Sequence, residues 1–167
     1  MRADREPFVA PGARVAGDVR LGADSSLWYA AALLGEAAPV ELGDQANVQD
    51  NASVEGAPGH PARIGARVSL GHNARVVGAV VEERSLIAIG ALVLPGAHVG
   101  ARSIVAANAT VGEGMLVPPG SMVVGQGRIL RPVRPDEVER IERGADDYVR
   151  LGREHRATLA ERRVQPG

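Results

Sequence analysis

Branched aliphatic residues recur at every sixth position through Val9, Val15, Leu21, Leu27 and Leu33. After a short slip the beat resumes at Leu42, Val48 and Val54, and after the segment 55–63 it returns at Ile64, Leu70 and Val76. It slips once more by one residue, then runs from Val81 through Ile87, Val93, Val99, Val105, Val111, Val117 and Val123 to Ile129. The residue four places after each aliphatic is mostly small, as at Ala13, Ser25, Ala31, Ala46, Ala52, Ala74, Ala91 and Ser103, with Met115 the bulky exception. Neither the two-residue period of a sandwich strand nor the 3.6-residue period of a helix reproduces this spacing. One large and one small inward residue in each six predict a solenoid of hexapeptide repeats, in which three hexads close a triangular coil.

After Ile129 the period changes. Pro135 opens a predicted helix whose first turn carries Asp136 and Glu137, where they favour the positive end of the helix dipole. Val138, Ile141, Ala145, Tyr148, Gly152, His155 and Leu159 follow at steps of three and four, an apolar stripe that can lie along the prism. Gly144 and Gly152 weaken the helix or mark a bend in it. The pattern divides the chain into a β-helix over 1–133 and a C-terminal helix over 134–163 packed on it, with the charged tail from Glu161 expected to fray.

Equivalent positions one coil apart stack at about 4.8 Å, the spacing of neighbouring strands. If the slips and the segment 55–63 lie at corners, Leu33, Val54, Val76 and Val93 share one face, and the outward residues after them are Leu34, Glu55, Val77 and Leu94. Another face carries Leu27, Val48, Leu70 and Ile87. It presents Trp28, Gln49 and Asp50, with His72 one coil above Asp50.

Composition narrows the chemistry. Phe8, Trp28, Tyr29 and Tyr148 are the aromatics of a chain with 21 glycines, so the core must be built from small and branched side chains. Without cysteine there are no disulfides, thiol nucleophiles or thiolate metal sites. All 19 basic residues are arginine, which excludes a P-loop lysine and a pyridoxal Schiff base. A net charge of -1 shows no basic face for nucleic acid. No run approaches the roughly 18 apolar residues of a membrane span, and the start from Met1 to Val9 is charged, unlike a signal peptide. The expectation is a cytoplasmic protein with neither nucleic acid nor membrane as partner.

The stretch from Gly17 to Gly125 resembles the γ-class carbonic anhydrases and their relatives. The likeness is carried by SSLW at 25–28, NVQD at 47–50, IGARVSLGHNA at 64–74, GALVLPGAHVG at 90–100 and SIVAANATV at 103–111. GADDYVRL at 144–151 is similar to the family's helix. The resemblance implies a mainly β fold, a left-handed parallel β-helix with a C-terminal α-helix. It also implies a homotrimer with zinc between subunits, held by two histidines of one chain and a third from its neighbour.

Transferred residue by residue, the family's first zinc histidine falls on Glu55, the second is kept as His72, and the third falls on Val77. The interface RGD motif reads Leu34-Gly35-Glu36, so its arginine is gone, while Asn47, Gln49 and Asp50 match. A catalytic zinc needs three protein ligands and an open position for water. Val77 has no lone pair, and Glu55 could ligate only as part of a shell completed by His60. No cofactor and no metal are therefore expected, zinc being left open only through Glu55 and His60.

Three readings follow. In the first, the chain is a γ-carbonic-anhydrase-like homotrimer with a degenerate zinc site, a scaffold or pseudo-enzyme that does not hydrate CO2. In the second, it is a metal-independent lyase, hydrolase or isomerase acting on a small organic molecule or thioester in the intersubunit cleft. Glu55, His72, Asp50 and Gln49 would do the chemistry there, with Leu34, Glu36, Asn47, His60 and Val77 lining the cleft. Between Leu34 and Val77, Glu55 would be desolvated and suited to acid or base work; alternatively it is a solvated or arginine-paired carboxylate. His72 is either a working group or a surviving interface residue bonded to Asp50, and Asn47 and Gln49 are alternatively corner and interface hydrogen-bonders. The third reading is ordinary zinc-dependent CO2 hydration.

Overall fold

The computed structural model describes residues 5–164, with the side chains of 161–164 excepted. Most strands are two or three residues long and pair in parallel with the strand one coil away, forming the three faces of a left-handed β-helix. On the first face Leu27, Val48, Leu70, Ile87, Val105 and Val123 stand in one register column. Val15, Leu33, Val54, Val76, Val93 and Val111 form the column of the second. Leu21, Leu42, Ile64, Val81, Val99 and Val117 form that of the third. These aliphatics are buried from the second coil onward and, with Ala31, Ala46, Ala52, Ala74, Ala91 and Ala97 between them, make one continuous core. Val9 and Val15 in the first coil stay exposed because no coil covers them. Arg14, Asp18 and Arg20 on the strand Arg14–Leu21 keep that open edge polar.

The corners follow from backbone conformation. The first face is entered through Asp24, Gln45, Arg67, Arg84 and Arg102 and left through Ala30, Asn51, Asn73, Gly90 and Asn108, all with positive φ. A side chain there costs energy, more for arginine or alanine than for asparagine, and the stacked register of the coils holds it in place. The third corner, between the second and third faces, is where every slip of the beat falls. The strand Ala32–Leu42 bends around it, the segment after Glu55 loops out through a turn joining Ala57 and His60, and Gly78 tightens the next coil. Gly56 is required at this corner, because a Cβ there would collide with the Ala38 carbonyl.

Two features differ from the pattern. Ile129 does not continue the beat: Gly125 and Gly127, both at positive φ, reverse the chain, and Ile129 lies exposed on the antiparallel strand Arg128–Pro132. The helix runs unbroken from Pro135 to Val164, so neither glycine interrupts it, and the tail from Glu161 is helical to that point. Residues 1–4 and 165–167, parts of the charged start and of the tail, lie outside the described residues.

The helix lies on the first face, packing against the strands Phe8–Val9, Ser26–Leu27 and Ser69–Leu70. Gly152 is the point of close approach, where a Cβ would meet Phe8 Cβ at 3.3 Å. Trp28 packs between Phe8, Tyr148 and His155, with ring centroids 5.1, 5.3 and 5.1 Å away. At the helix start Glu137 accepts from the Arg134 backbone N–H at 2.9 Å, a capping-box contact, and from two Arg131 nitrogens at 2.8 Å each. The Arg131 bonds, with the Arg134 N–H behind them, hold the Glu137 carboxyl down to about 2. Near the other end Arg153 donates to both oxygens of buried Asp24 at 3.0 Å, and Arg5 adds a third bond. Burial pushes the Asp24 carboxyl up, yet the Arg153 and Arg5 bonds outweigh it and hold the group below its usual range.

Candidate functional site

The residues singled out in the sequence fall into four places. Asn47 and Gln49 lie buried on the first face, the face that carries the helix. Asn47 Nδ2 donates to Ser69 Oγ at 2.8 Å, and Gln49 Nε2 donates to Asn47 Oδ1 at 3.1 Å. This chain satisfies buried amides along the prism, a corner and interior role.

Asp50 and His72 stand at the corner leaving the first face. His72 Nδ1 is 3.3 Å from Asp50 Oδ2, and the Tyr29 backbone N–H donates to Asp50 Oδ1 at 3.1 Å. One Asp50 oxygen is fixed by the backbone and the other lies at ion-pair distance from the half-exposed imidazole, so the two groups form a neighbouring acid and base at the surface. Tyr148 borders this corner from the helix. Burial, and then the Asp50 charge, push its phenol pKa up.

Glu55 lies on the second face in register with Leu34 and Val77. Its carboxylate is arginine-paired: Arg75 Nη2 donates to Oε1 at 2.8 Å, and Ser53 Oγ donates to the same oxygen at 3.1 Å. Glu36 is exposed two residues beyond Leu34, where the strand turns the third corner.

His60 is on the third corner. Its ring lies over Gly96, and with His98, Pro61, Val80 and Leu116 it lines a cavity of about 240 Å³. His98 Nε2 is 2.8 Å from Glu82 Oε1, and the Ala101 N–H donates to Glu82 Oε2 at 2.9 Å. The His98 bond, then the Ala101 bond, hold the Glu82 carboxyl below its usual range. This pair repeats the logic of Asp50 and His72 on another face.

Arg75 was not singled out by the hexad pattern, which marks inward positions and leaves outward ones unread. The coil offset could have found it. Ser69 follows Asn47 by 22 positions, and the same offset that sets His72 above Asp50 sets Arg75 above Ser53.

Within one chain Glu55 and His72 share no hydrogen bond or ion pair and stand on different parts of the prism. Among the described residues, no three His, Asp or Glu side chains are grouped to hold a metal ion.

No family model matches the chain. Named relatives do. It is 38% identical over 144 residues to a probable carbonic anhydrase of Methanocaldococcus jannaschii, covering 86% of this chain and 91% of that protein. A carbonic anhydrase of Geobacillus kaustophilus is 31% identical over 156 residues, covering 93% and 86%. Gamma carbonic anhydrase 1, mitochondrial, of Arabidopsis thaliana is 38% identical over 165 residues, and the match spans 95% of this chain but 60% of the plant protein. Among solved structures, a hexapeptide transferase family protein of Anaplasma phagocytophilum superposes with a TM-score of 0.76 at 27% identity, covering 89% and 92% of the two chains. PerB of Caulobacter crescentus, solved with CoA and GDP-perosamine, superposes with a TM-score of 0.66 at 29% identity over 75% of this chain and 57% of its own. The fold is that of the hexapeptide-repeat proteins. The chain belongs to the γ-class carbonic anhydrase family.

No helix among the described residues is long and apolar enough to cross a membrane.

Proposed function

We propose that this chain forms a homotrimer whose intersubunit zinc centre has been lost and which does not hydrate CO2. The observation that carries this reading is the Arg75–Glu55 pair. The family's zinc would be held by residues at positions 55 and 77 and by the partner subunit's His72. Val77 offers no lone pair, and Glu55 is already engaged, its Oε1 accepting from Arg75 and Ser53. A guanidinium held 2.8 Å from that oxygen also brings positive charge to where a dication would have to sit. One imidazole is then left, short of the three ligands a catalytic zinc requires. The donor set does not fit the metal. Light scattering should give three chains per particle, and a stopped-flow pH assay should show no CO2 hydration above the buffer rate. Turnover that disappears with a chelator would overturn the reading.

A second reading rests on the closeness of Asp50 and His72, which would serve metal-independent proton transfer on a small molecule or thioester. Glu55, engaged by Arg75, would orient that arginine, and His72 would carry the proton. The CoA in the PerB structure supports the thioester variant. If it holds, His72→Gln abolishes turnover of the substrate while leaving the trimer intact.

A further inference from the structure

We propose that Arg75 is an anion-binding residue, and that the cleft in which it stands takes a small planar monocarboxylate where the family's site takes a metal. The inference deepens the proposed function and rests on the shared-cleft reading.

The geometry of the ion pair carries it. Arg75 meets Glu55 through Nη2 alone. Both donors on Glu55, Arg75 and Ser53, converge on Oε1. Among the described residues Glu55 is the one hydrogen-bond acceptor of Arg75. A guanidinium has five N–H donors in a fixed fork, and Nη2 gives one of its two hydrogens to Glu55, so one paired edge remains for a second carboxylate in the bidentate arrangement arginine favours. Glu55 is the more buried partner, its side chain 26% exposed against 55% for Arg75. The carboxylate is thus the holder and the guanidinium the presented group. Ser53, one coil below Arg75 in register, fixes the holder in turn.

The surroundings suit a small organic anion. Leu34 and Val77 stand on either side of Glu55 in its column, and Leu92 is the register neighbour of Arg75 on the following coil. These apolar neighbours give a carboxylate's hydrocarbon end something to lie against, and covering by a second subunit would strengthen the charge-assisted bonds by excluding water. The family's interface arginine is replaced by Leu34, so Arg75 returns a guanidinium to the same face from a different column. Glu55 sets a limit on the ligand. Its negative charge beside the site disfavours dianions and leaves room for one charge at most.

The test is a titration of the purified full chain with sodium acetate and, separately, sodium bicarbonate, against sodium chloride at equal ionic strength. Binding is read by calorimetry and by the melting temperature, with light scattering on the same samples. We expect saturable binding of a monocarboxylate-type anion, at least tenfold weaker in Arg75→Ala and partly kept in Arg75→Lys. Glu55→Gln should bind several-fold more tightly, because the repelling charge is gone while the amide oxygen still accepts from Arg75. A merely structural ion pair would lower the melting temperature in Arg75→Ala and Glu55→Gln and give no difference between the salts. If the particle is trimeric and neither anion binds beyond chloride, the inference fails and the proposed trimer stands. If the particle is monomeric, the shared-cleft reading fails first.

Discussion

Arg75 and Glu55 lie on neighbouring coils of one face, and their 2.8 Å contact sets a guanidinium against the carboxylate that stands at the position of the family's first zinc histidine. The pair links the loss of two family histidines to a positive replacement. It also explains why restoring histidine at one position alone should achieve little.

Rebuilding the metal site therefore requires removing the arginine too. Glu55→His with Val77→His places two imidazoles one coil apart, and the partner subunit's His72 would complete a three-nitrogen shell. With Arg75→Val added, we expect zinc uptake to approach one per chain, and to stay well below that while Arg75 remains. Catalysis should lag behind binding, since turnover also depends on groups that orient the ligands and the water. Elemental analysis of the two variants after buffer exchange separates these outcomes.

The Asp24 clamp ties the helix to the corner entering the first face. Asp24→Asn keeps a residue tolerated at positive φ but removes the charge that Arg153 and Arg5 share. The expected loss is about 1.5–3 kcal/mol, the scale of hydrogen bonds to a charged group, read as a lower urea midpoint. Hydrogen exchange should speed up along the C-terminal half of the helix and leave the solenoid core protected.

Acid should weaken the opposite end of the helix. The Glu137 carboxyl is depressed from its ordinary value near 4.5 to about 2. A depressed carboxylate contributes stability that is fully present above about pH 4.5 and is lost as the pH falls toward 2. Wild type should therefore lose stability over that window, while Glu137→Gln starts lower and loses less. A gap between them that stays constant from pH 6 to pH 2.5 would contradict the assignment.

Core and surface positions of the solenoid should behave oppositely. Leu70 is fully buried between Val48 and Ile87, and Leu70→Ala should cost about 2–5 kcal/mol. Leu116 is 73% exposed, so Leu116→Ala should change stability by no more than about 0.5 kcal/mol. Thermal or urea melts of the two variants decide this.

The columns of the fold were legible because inward hexad positions repeat the same demand at every coil, and Leu33, Val54 and Val76 fall into register once the slips of the beat are set at a corner. The clean stop at Val123 was not legible, since Ile129 is apolar and correctly spaced while Gly125 and Gly127 turn the chain back. Asp50 and His72 were foreseeable from the coil offset. The burial of Asn47 and Gln49 depended on where the helix lies, and a stripe on the helix does not name the face it will cover. Arg75 stands at the same coil offset, above Ser53, whereas Arg153 reaches Asp24 from the helix, so tertiary geometry and not the repeat sets that pair.

The central claim is that the site no longer takes zinc, and the most direct measurement is the zinc content of the purified wild-type protein after equilibration with excess zinc and exchange into metal-free buffer. The account predicts far less than one zinc per three chains, unchanged in His72→Ala. Stoichiometric zinc that is lost in His72→Ala would contradict it, showing that Glu55, His60 or water completes a working shell around the imidazole.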